Sequence, residues 1–185
     1  QQTYRRFKTT CPAKNIFVVT SAEHKDLVVE QLGIDPSHVL GEPFRRNTAP
    51  CIAYGTFRIL QENPDAVITV TPSDHLIVKE DQFCEDIQSC FKFAKGNDAL
   101  ITLGIKPDRP ETGYGYIQAD QKKPVQGYGN LLKVKTFTEK PDIDLARVFL
   151  ESGDFYWNSG IFIWNIKSII SAFEKHLPDT YSVFE

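Results

Sequence analysis

Ala66-Val67-Ile68-Thr69-Val70-Thr71-Pro72-Ser73-Asp74-His75 is the stretch from which the rest of the chain is read. Val67, Ile68, Thr69 and Val70 favour a pleated, buried strand. Pro72 cannot donate to a ladder, so the strand should stop before it. Asp74 then stands just past the carboxyl end of a central strand. In open α/β sheets that edge is where ligands bind. A carboxylate there can hold a divalent cation, which in turn can hold a phosphate. The plain alternative is that Asp74 caps the next turn, and this stretch alone leaves both readings open.

Upstream, residues 1–8 read as the end of a helix, stopped before Pro12. Residues 15–20 read as a buried strand. Thr20 and Glu23 fit a capping box that opens a helix through Leu27, Val28 and Leu32, with Gly33 as its stop. Val39 and Leu40 form a short strand ending at Gly41-Glu42-Pro43. A polar turn over 44–48 leads into a helix over 49–61, with Pro50 in its first turn. Downstream, residues 79–95 carry helical periodicity in Phe83, Ile87, Cys90, Phe91 and Ala94, and residues 99–105 form another strand. This alternation predicts a parallel sheet covered on both faces.

The pattern changes after Ile105. Residues 106–115 are rich in Pro and Gly. Residues 116–119 and 131–138 read as strands around a polar loop at Gly127 and Gly129. Residues 142–152 read as a helix with Ala146, Phe149 and Leu150 inward. Residues 156–160 read as a tight aromatic turn, 161–164 as a strand and 166–176 as a helix.

The 185 residues suffice for one sizeable core and one domain over 1–185. A net charge of −3 argues against a broad nucleic-acid surface. No apolar run is long enough for a bilayer, and no signal peptide is visible. Cys11, Cys51, Cys84 and Cys90 lack Cys-x-x-Cys spacing, which speaks against zinc or a disulfide framework and suits a reducing cytoplasm. A chain without methionine that starts at Gln1 is expected to be a fragment.

Four polar clusters fall at predicted strand ends: Glu42-Pro43 with Asn47-Thr48, Ser73-Asp74-His75, Glu139-Lys140-Pro141, and Trp157-Asn158-Ser159. Gly113-Tyr114-Gly115 adds a glycine-bearing loop. Several such clusters on one sheet edge point to a ligand site. The stretches Glu42-Pro-Phe-Arg-Arg-Asn-Thr-Ala-Pro50, Thr71-Pro-Ser-Asp-His75, Gly113-Tyr-Gly-Tyr116, Phe137-Thr-Glu-Lys-Pro141 and Trp157-Asn-Ser-Gly-Ile-Phe162 stand in the order found in sugar-1-phosphate nucleotidyltransferases. The chain resembles that family over essentially its whole length, and Arg-Asn-Thr-Ala-Pro resembles its guanylyl branch, which acts on mannose 1-phosphate.

The resemblance implies a Rossmann-like α/β domain with a doubly wound, mostly parallel sheet in three α/β/α layers. It implies transfer of GMP from GTP to mannose 1-phosphate, giving GDP-mannose and pyrophosphate, with Mg²⁺ as cofactor. Asp74 would hold Mg²⁺ against the α-phosphate. Glu42 would read the two adjacent donors of guanine. Asn47 and Thr48 would contact base or ribose, or simply cap the helix. Lys140 would bind the sugar's phosphate. Glu139 and Asn158 would hold sugar hydroxyls, Gly113 would let the backbone approach the sugar, and Tyr114 would form an apolar wall. The plain alternative for Glu139 and Lys140 is an exposed, weak ion pair. His75 is expected to be structural, because the sugar phosphate is already ionised and needs no general base.

The family's Gly-rich phosphate loop and first strand are expected before Gln1, and its second metal-binding aspartate after Glu185. The 185 residues alone are therefore expected to be inactive, with a strand edge left open. Another base or sugar is the nearest rival reading, and a non-catalytic, nucleotide-sugar-sensing subunit is a rival of another class. Self-association is left open.

Overall fold

The computed structural model describes residues 1–43 and 47–184. The expected turn at Phe44-Arg45-Arg46 lies outside the described residues. The chain is a mixed α/β fold that divides into two compact units, residues 1–100 with 163–185, and residues 101–162.

The first unit opens with α1 (Gln2–Phe7). Arg6 on this helix is buried; its Nε donates to Glu80 Oε1 at 2.9 Å, and its guanidinium lies 5.9 Å from the Phe83 ring centroid. Strands β1 (Val18–Ser21) and β2 (Val39–Glu42) pair in parallel, with Ser21 opposite Glu42. The strand expected from residue 15 starts only at Val18, because a 3₁₀ turn occupies Ala13–Asn15. The expected capping box is also absent. β1 runs on through Ser21, a 3₁₀ turn takes Ala22–His24, and α2 (Lys25–Leu32) starts without a side-chain cap. Gly33 does end α2, at φ +59° in the left-handed region.

Helix α3 (Thr48–Glu62) follows, then β3 (Val67–Val70), which ends before Pro72 as expected. α4 (Glu80–Gly96) buries Phe83, Ile87, Cys90 and Ala94, spaced three to four residues apart. Asn165 joins α4 to α6 (Ile166–His176). Its Nδ2 donates to the carbonyls of Ala94 and Asn97, and its Oδ1 caps α6 by accepting from Ser168 N–H at 2.8 Å. A further helix, α7 (Pro178–Phe184), has no counterpart among the expected elements. It stacks Phe184 on Tyr54 and Phe57 of α3. The periodicity of so short a segment is too weak to announce it.

In the second unit, β5 (Tyr116–Val125) pairs antiparallel with β6 (Tyr128–Thr138) and with β7 (Phe155–Asn165). The last three residues of β7 belong to the first unit. β4 (Leu100–Ile105) also pairs with β7. The strands around Gly127 are longer than expected, and their loop shrinks to Gln126-Gly127. A two-residue connection can join only antiparallel neighbours, and Gly127 supplies the required positive φ of +80°. The sheet pairing is therefore mixed rather than uniformly parallel.

The expected turn at 156–160 is instead part of β7. Its burial alternates residue by residue, with Phe155, Trp157, Ser159 and Ile161 buried. Ser159 reconciles its hydroxyl with that face by donating to the Leu103 carbonyl at 2.7 Å. Helix α5 (Ile143–Ser152), capped by Asp142, adds Ala146 and Phe149 to a core with Tyr116, Phe155 and Trp157. Phe149 stacks on Phe155 with ring centroids 3.9 Å apart. Leu150, expected inward, is only half-buried.

Candidate active site

The nucleotide-side residues lie in the first unit. Glu42 is the last residue of β2 and borders a cleft of about 260 Å³ with Ser21, Ala22, Glu23 and Pro43. Parallel pairing brings the carboxyl ends of β1 and β2 to the same side, which opens this cleft. The Glu42 charge also acts on the Cys51 thiol in the first turn of α3. Burial first, then the Glu42 charge, push that thiol from 9.0 up to about 11.

Asn47 occupies the N-cap of α3 but makes no side-chain capping bond. The capping reading of Asn47 therefore falls. Its backbone sits at φ 68°, ψ −173°, a region that belongs essentially to glycine. Lys140, at φ +43°, is the other non-glycine residue with positive φ among the described residues. Both outliers fall on residues expected in the site. Such conformations cost about 1–3 kcal/mol each and collect where function demands them. Thr48 is exposed at the first position of α3.

Asp74 is exposed in the loop after β3. It borders a second cleft, of about 300 Å³, with Gln1, Gln2, Thr3, Ser73, His75 and Leu76. The loop is tethered from α1, where Thr3 Oγ1 donates to the Ser73 carbonyl at 2.8 Å. No group of three or more His, Cys, Asp or Glu residues suited to a metal is gathered among the described residues. Mg²⁺ keeps several waters and takes one or two carboxylates besides substrate phosphate. One open carboxylate in a cleft meets the lower end of that requirement, and the group fits.

The sugar-side residues lie in the second unit, and three of them converge. Asn158 N–H donates to the Gly115 carbonyl at 2.8 Å. A β-carbon on Gly115 would lie 2.6 Å from Glu139 Oε2 and 3.6 Å from Asn158 Cβ. Gly115 is thus the glycine that lies against the Glu139 carboxylate. A β-carbon on Gly113 would meet only Glu111 Oε1, at 3.3 Å. The signal is present in Gly113-Tyr114-Gly115, but two glycines at that spacing do not reveal which one faces the acid.

Asn158 lies inside β7, not at a strand end. Its Oδ1 accepts from Gly160 N–H at 3.1 Å and from Thr102 Oγ1 at 3.2 Å, which leaves the amide NH₂ as the group that can donate to a ligand. Glu139 follows β6, and its Oε1 lies 3.9 Å from Lys140 Nζ; both side chains are mostly exposed. An ion pair this long and open contributes little by itself, so both charges stay available. Buried Pro141 ends the segment. Tyr114 meets Trp157 edge-on at 5.4 Å and is itself still 45% exposed.

Acidic residues that end or follow the strands of an α/β frame, as Glu42 and Asp74 do, belong to the class of folds that bind small ligands at strand ends. The nucleotidyl transferase family matches residues 6–185, and the chain belongs to that family. Mannose-1-phosphate guanylyltransferase 2 of Escherichia coli O157:H7 is 39% identical over 176 residues, covering 91% of this chain and 36% of that protein. The xanthan biosynthesis protein XanB of Xanthomonas campestris (strain B100) is 40% identical over 164 residues, 87% of this chain and 34% of that protein. The chain thus spans about a third of the length of these curated relatives. Among solved structures, one described as mannose-1-phosphate geranyltransferase from Thermus thermophilus superposes with a TM-score of 0.87 at 26% identity, covering 99% of this chain and 52% of that one. Another, described as mannose-6-phosphate isomerase from Helicobacter pylori, has a TM-score of 0.74 at 31% identity, over 91% and 62%.

Proposed function

We propose that the protein containing this chain transfers GMP from GTP to mannose 1-phosphate, releasing GDP-mannose and pyrophosphate. The observation that carries the reading is the meeting of the Gly115 backbone, the Glu139 carboxylate and Asn158. A glycine pressed against an acid leaves a side-chain-free surface with an acceptor and an amide donor beside it, which matches a hydroxyl-rich ring. Curated relatives named mannose-1-phosphate guanylyltransferase support the choice of sugar and base.

In this reading Lys140 orients the phosphate of the sugar 1-phosphate as a point charge. An ionised oxygen of that phosphate attacks the α-phosphorus of GTP. The new oxygen–phosphorus bond forms as the bond to the β-phosphate breaks, and pyrophosphate leaves with the electron pair. No general base is required, so His75 has no proton to move. Asp74 holds Mg²⁺, which when bound supplies charge neutralisation at the α-phosphate. Glu42 accepts from the ring N–H and exocyclic amine of guanine. Asn47 and Thr48 face base or ribose at the start of α3, and Tyr114 walls the sugar.

The same reading extends to architecture and place. Strand–helix alternation up to residue 105 supports a doubly wound sheet in three α/β/α layers in the whole protein. No helix among the described residues is long and apolar enough to cross a membrane. All four cysteines are free, in keeping with a reducing cytoplasm.

The test is an assay of the purified protein with Mg²⁺, mannose 1-phosphate and each of GTP, ITP and UTP. GTP should be preferred, at turnover of about 1–1000 per second. Glu42→Gln should lose about 1–3 kcal/mol of discrimination for GTP over ITP, which lacks the exocyclic amine. No GDP-mannose from the wild-type protein defeats the reading, and an unchanged GTP-to-ITP ratio removes Glu42 from base recognition.

A further inference from the structure

The loop over residues 106–115 is shaped by a carboxylate that has no part in the site described so far. Glu111 Oε1 accepts from Gly113 N–H at 3.1 Å, and Glu111 Oε2 accepts from Arg109 Nη2 at 3.3 Å. Arg109 is held in turn. Its Nη1 donates to Asp108 Oδ1 at 3.1 Å, and its guanidinium lies 5.0 Å from the Trp157 ring centroid. Tyr114 meets that same Trp157 ring. The Glu111 backbone is anchored separately, its N–H donating at 3.0 Å to the hydroxyl of fully buried Tyr116. The Gly113 N–H above all, and Arg109 with it, hold the Glu111 carboxyl below the usual carboxylate range.

A segment with glycines at 113 and 115 has wide backbone freedom. That freedom must be given up each time a ligand is gripped, unless the loop is already ordered. Glu111 spans Gly113 and removes the freedom beforehand. We infer that Glu111, braced by Arg109, is a positioning residue that presets the Gly113–Gly115 loop for the sugar 1-phosphate. This inference rests on the proposed function for its ligand. Glu111 touches no reacting atom in that reading and acts through the glycine backbone.

The experiment compares the intact wild-type protein with Glu111→Ala, Glu111→Gln and Arg109→Ala. Glu111→Ala should raise KM for mannose 1-phosphate roughly 10- to 100-fold and leave KM for GTP within about twofold. Glu111→Gln keeps an amide oxygen for Gly113 N–H and should recover most of the loss. Arg109→Ala leaves that bond in place and should fall between the two. An unchanged KM for the sugar phosphate, or an equal rise in both KM values, overturns the inference. Hydrogen exchange of the peptide over 106–115 gives a reading that needs no substrate. Exchange should accelerate there, and not across the remaining peptides, in Glu111→Ala; unchanged protection also overturns the inference. If the wild-type protein makes no GDP-mannose, the proposed function falls, and exchange alone decides whether Glu111 holds the loop.

Discussion

Gly115 lies against the carboxylate of Glu139, so close that a β-carbon there would stand 2.6 Å from Oε2. Gly115→Ala must therefore push Glu139 aside, and Glu139 is a flexible, exposed side chain that can move. The expected result is a protein that folds with a near-normal melting temperature but uses mannose 1-phosphate at least about tenfold less efficiently. Gly113→Ala should be milder, since its nearest contact is the Glu111 side chain at 3.3 Å. Steady-state kinetics on both variants check the order, and a larger loss at Gly113 would overturn it.

Asp74→Asn keeps the size and the exposed setting of the side chain but removes its charge. Turnover should fall about 100- to 1000-fold, the scale of losing one electrostatic contact to the transition state, and the melting temperature should stay close to that of the wild type. Pyrophosphate release measured across a Mg²⁺ titration checks this. Near-normal turnover at low Mg²⁺ would remove Asp74 from the metal site.

Asn47 holds a glycine-like backbone without gaining a capping bond. Asn47→Gly should relieve that strain and raise stability by up to about 1 kcal/mol, with the extra chain entropy of glycine opposing part of the gain. If the amide touches base or ribose, KM for GTP rises in the same variant. Chemical denaturation and GTP kinetics together separate the two effects; lower stability and unchanged kinetics would leave Asn47 without either role.

Burial first, and then the Glu42 charge, oppose the Cys51 thiolate and push the thiol up from 9.0 to about 11. Alkylation requires the thiolate, so Cys51 should react slowly at pH 8 and faster as pH rises toward 11. Glu42→Gln removes the charge and should accelerate labelling at fixed pH. The linkage sign follows: the folded state keeps a proton that the unfolded chain has already released, so this group lowers stability as pH climbs from about 9 to about 11. Mass-spectrometric labelling of Cys51 against pH checks the shift, and an equal rate in Glu42→Gln would show that Glu42 does not face the thiol.

The first half of the chain is legible because its signals are local. β-branched runs at 67–70, the Pro72 stop and the 83-87-90-94 stripe each announce one element, and each is found. The capping box fails because strand pairing with β2 extends β1 through Ser21, past the residue meant to cap. The second half is less legible because its signals are partnerships. Tyr156 to Gly160 carries two aromatics, two polar residues and a glycine, and composition alone suggests a turn. Pairing with β5 at Trp157 and Tyr156 makes it a strand. The site follows the same division. Motif order brings Glu139 and Asn158 forward, but the contact of Gly115 with Glu139, and the brace at Glu111, depend on distances between segments that no spacing encodes.

The two stretches of the first unit are separated along the chain by the whole of residues 101–162. Tyr54 and Phe57 of α3 find ring partners at Tyr181 and Phe184, more than a hundred residues further on. On a ribosome the second unit is complete as a continuous run while the first still waits for α6 and α7. Closing so long a loop is entropically slow compared with forming the β5–β6 hairpin. The order of assembly is thus inverted relative to the order of synthesis: the unit begun first is the one finished last, and its α3 surface stays uncovered until α7 emerges.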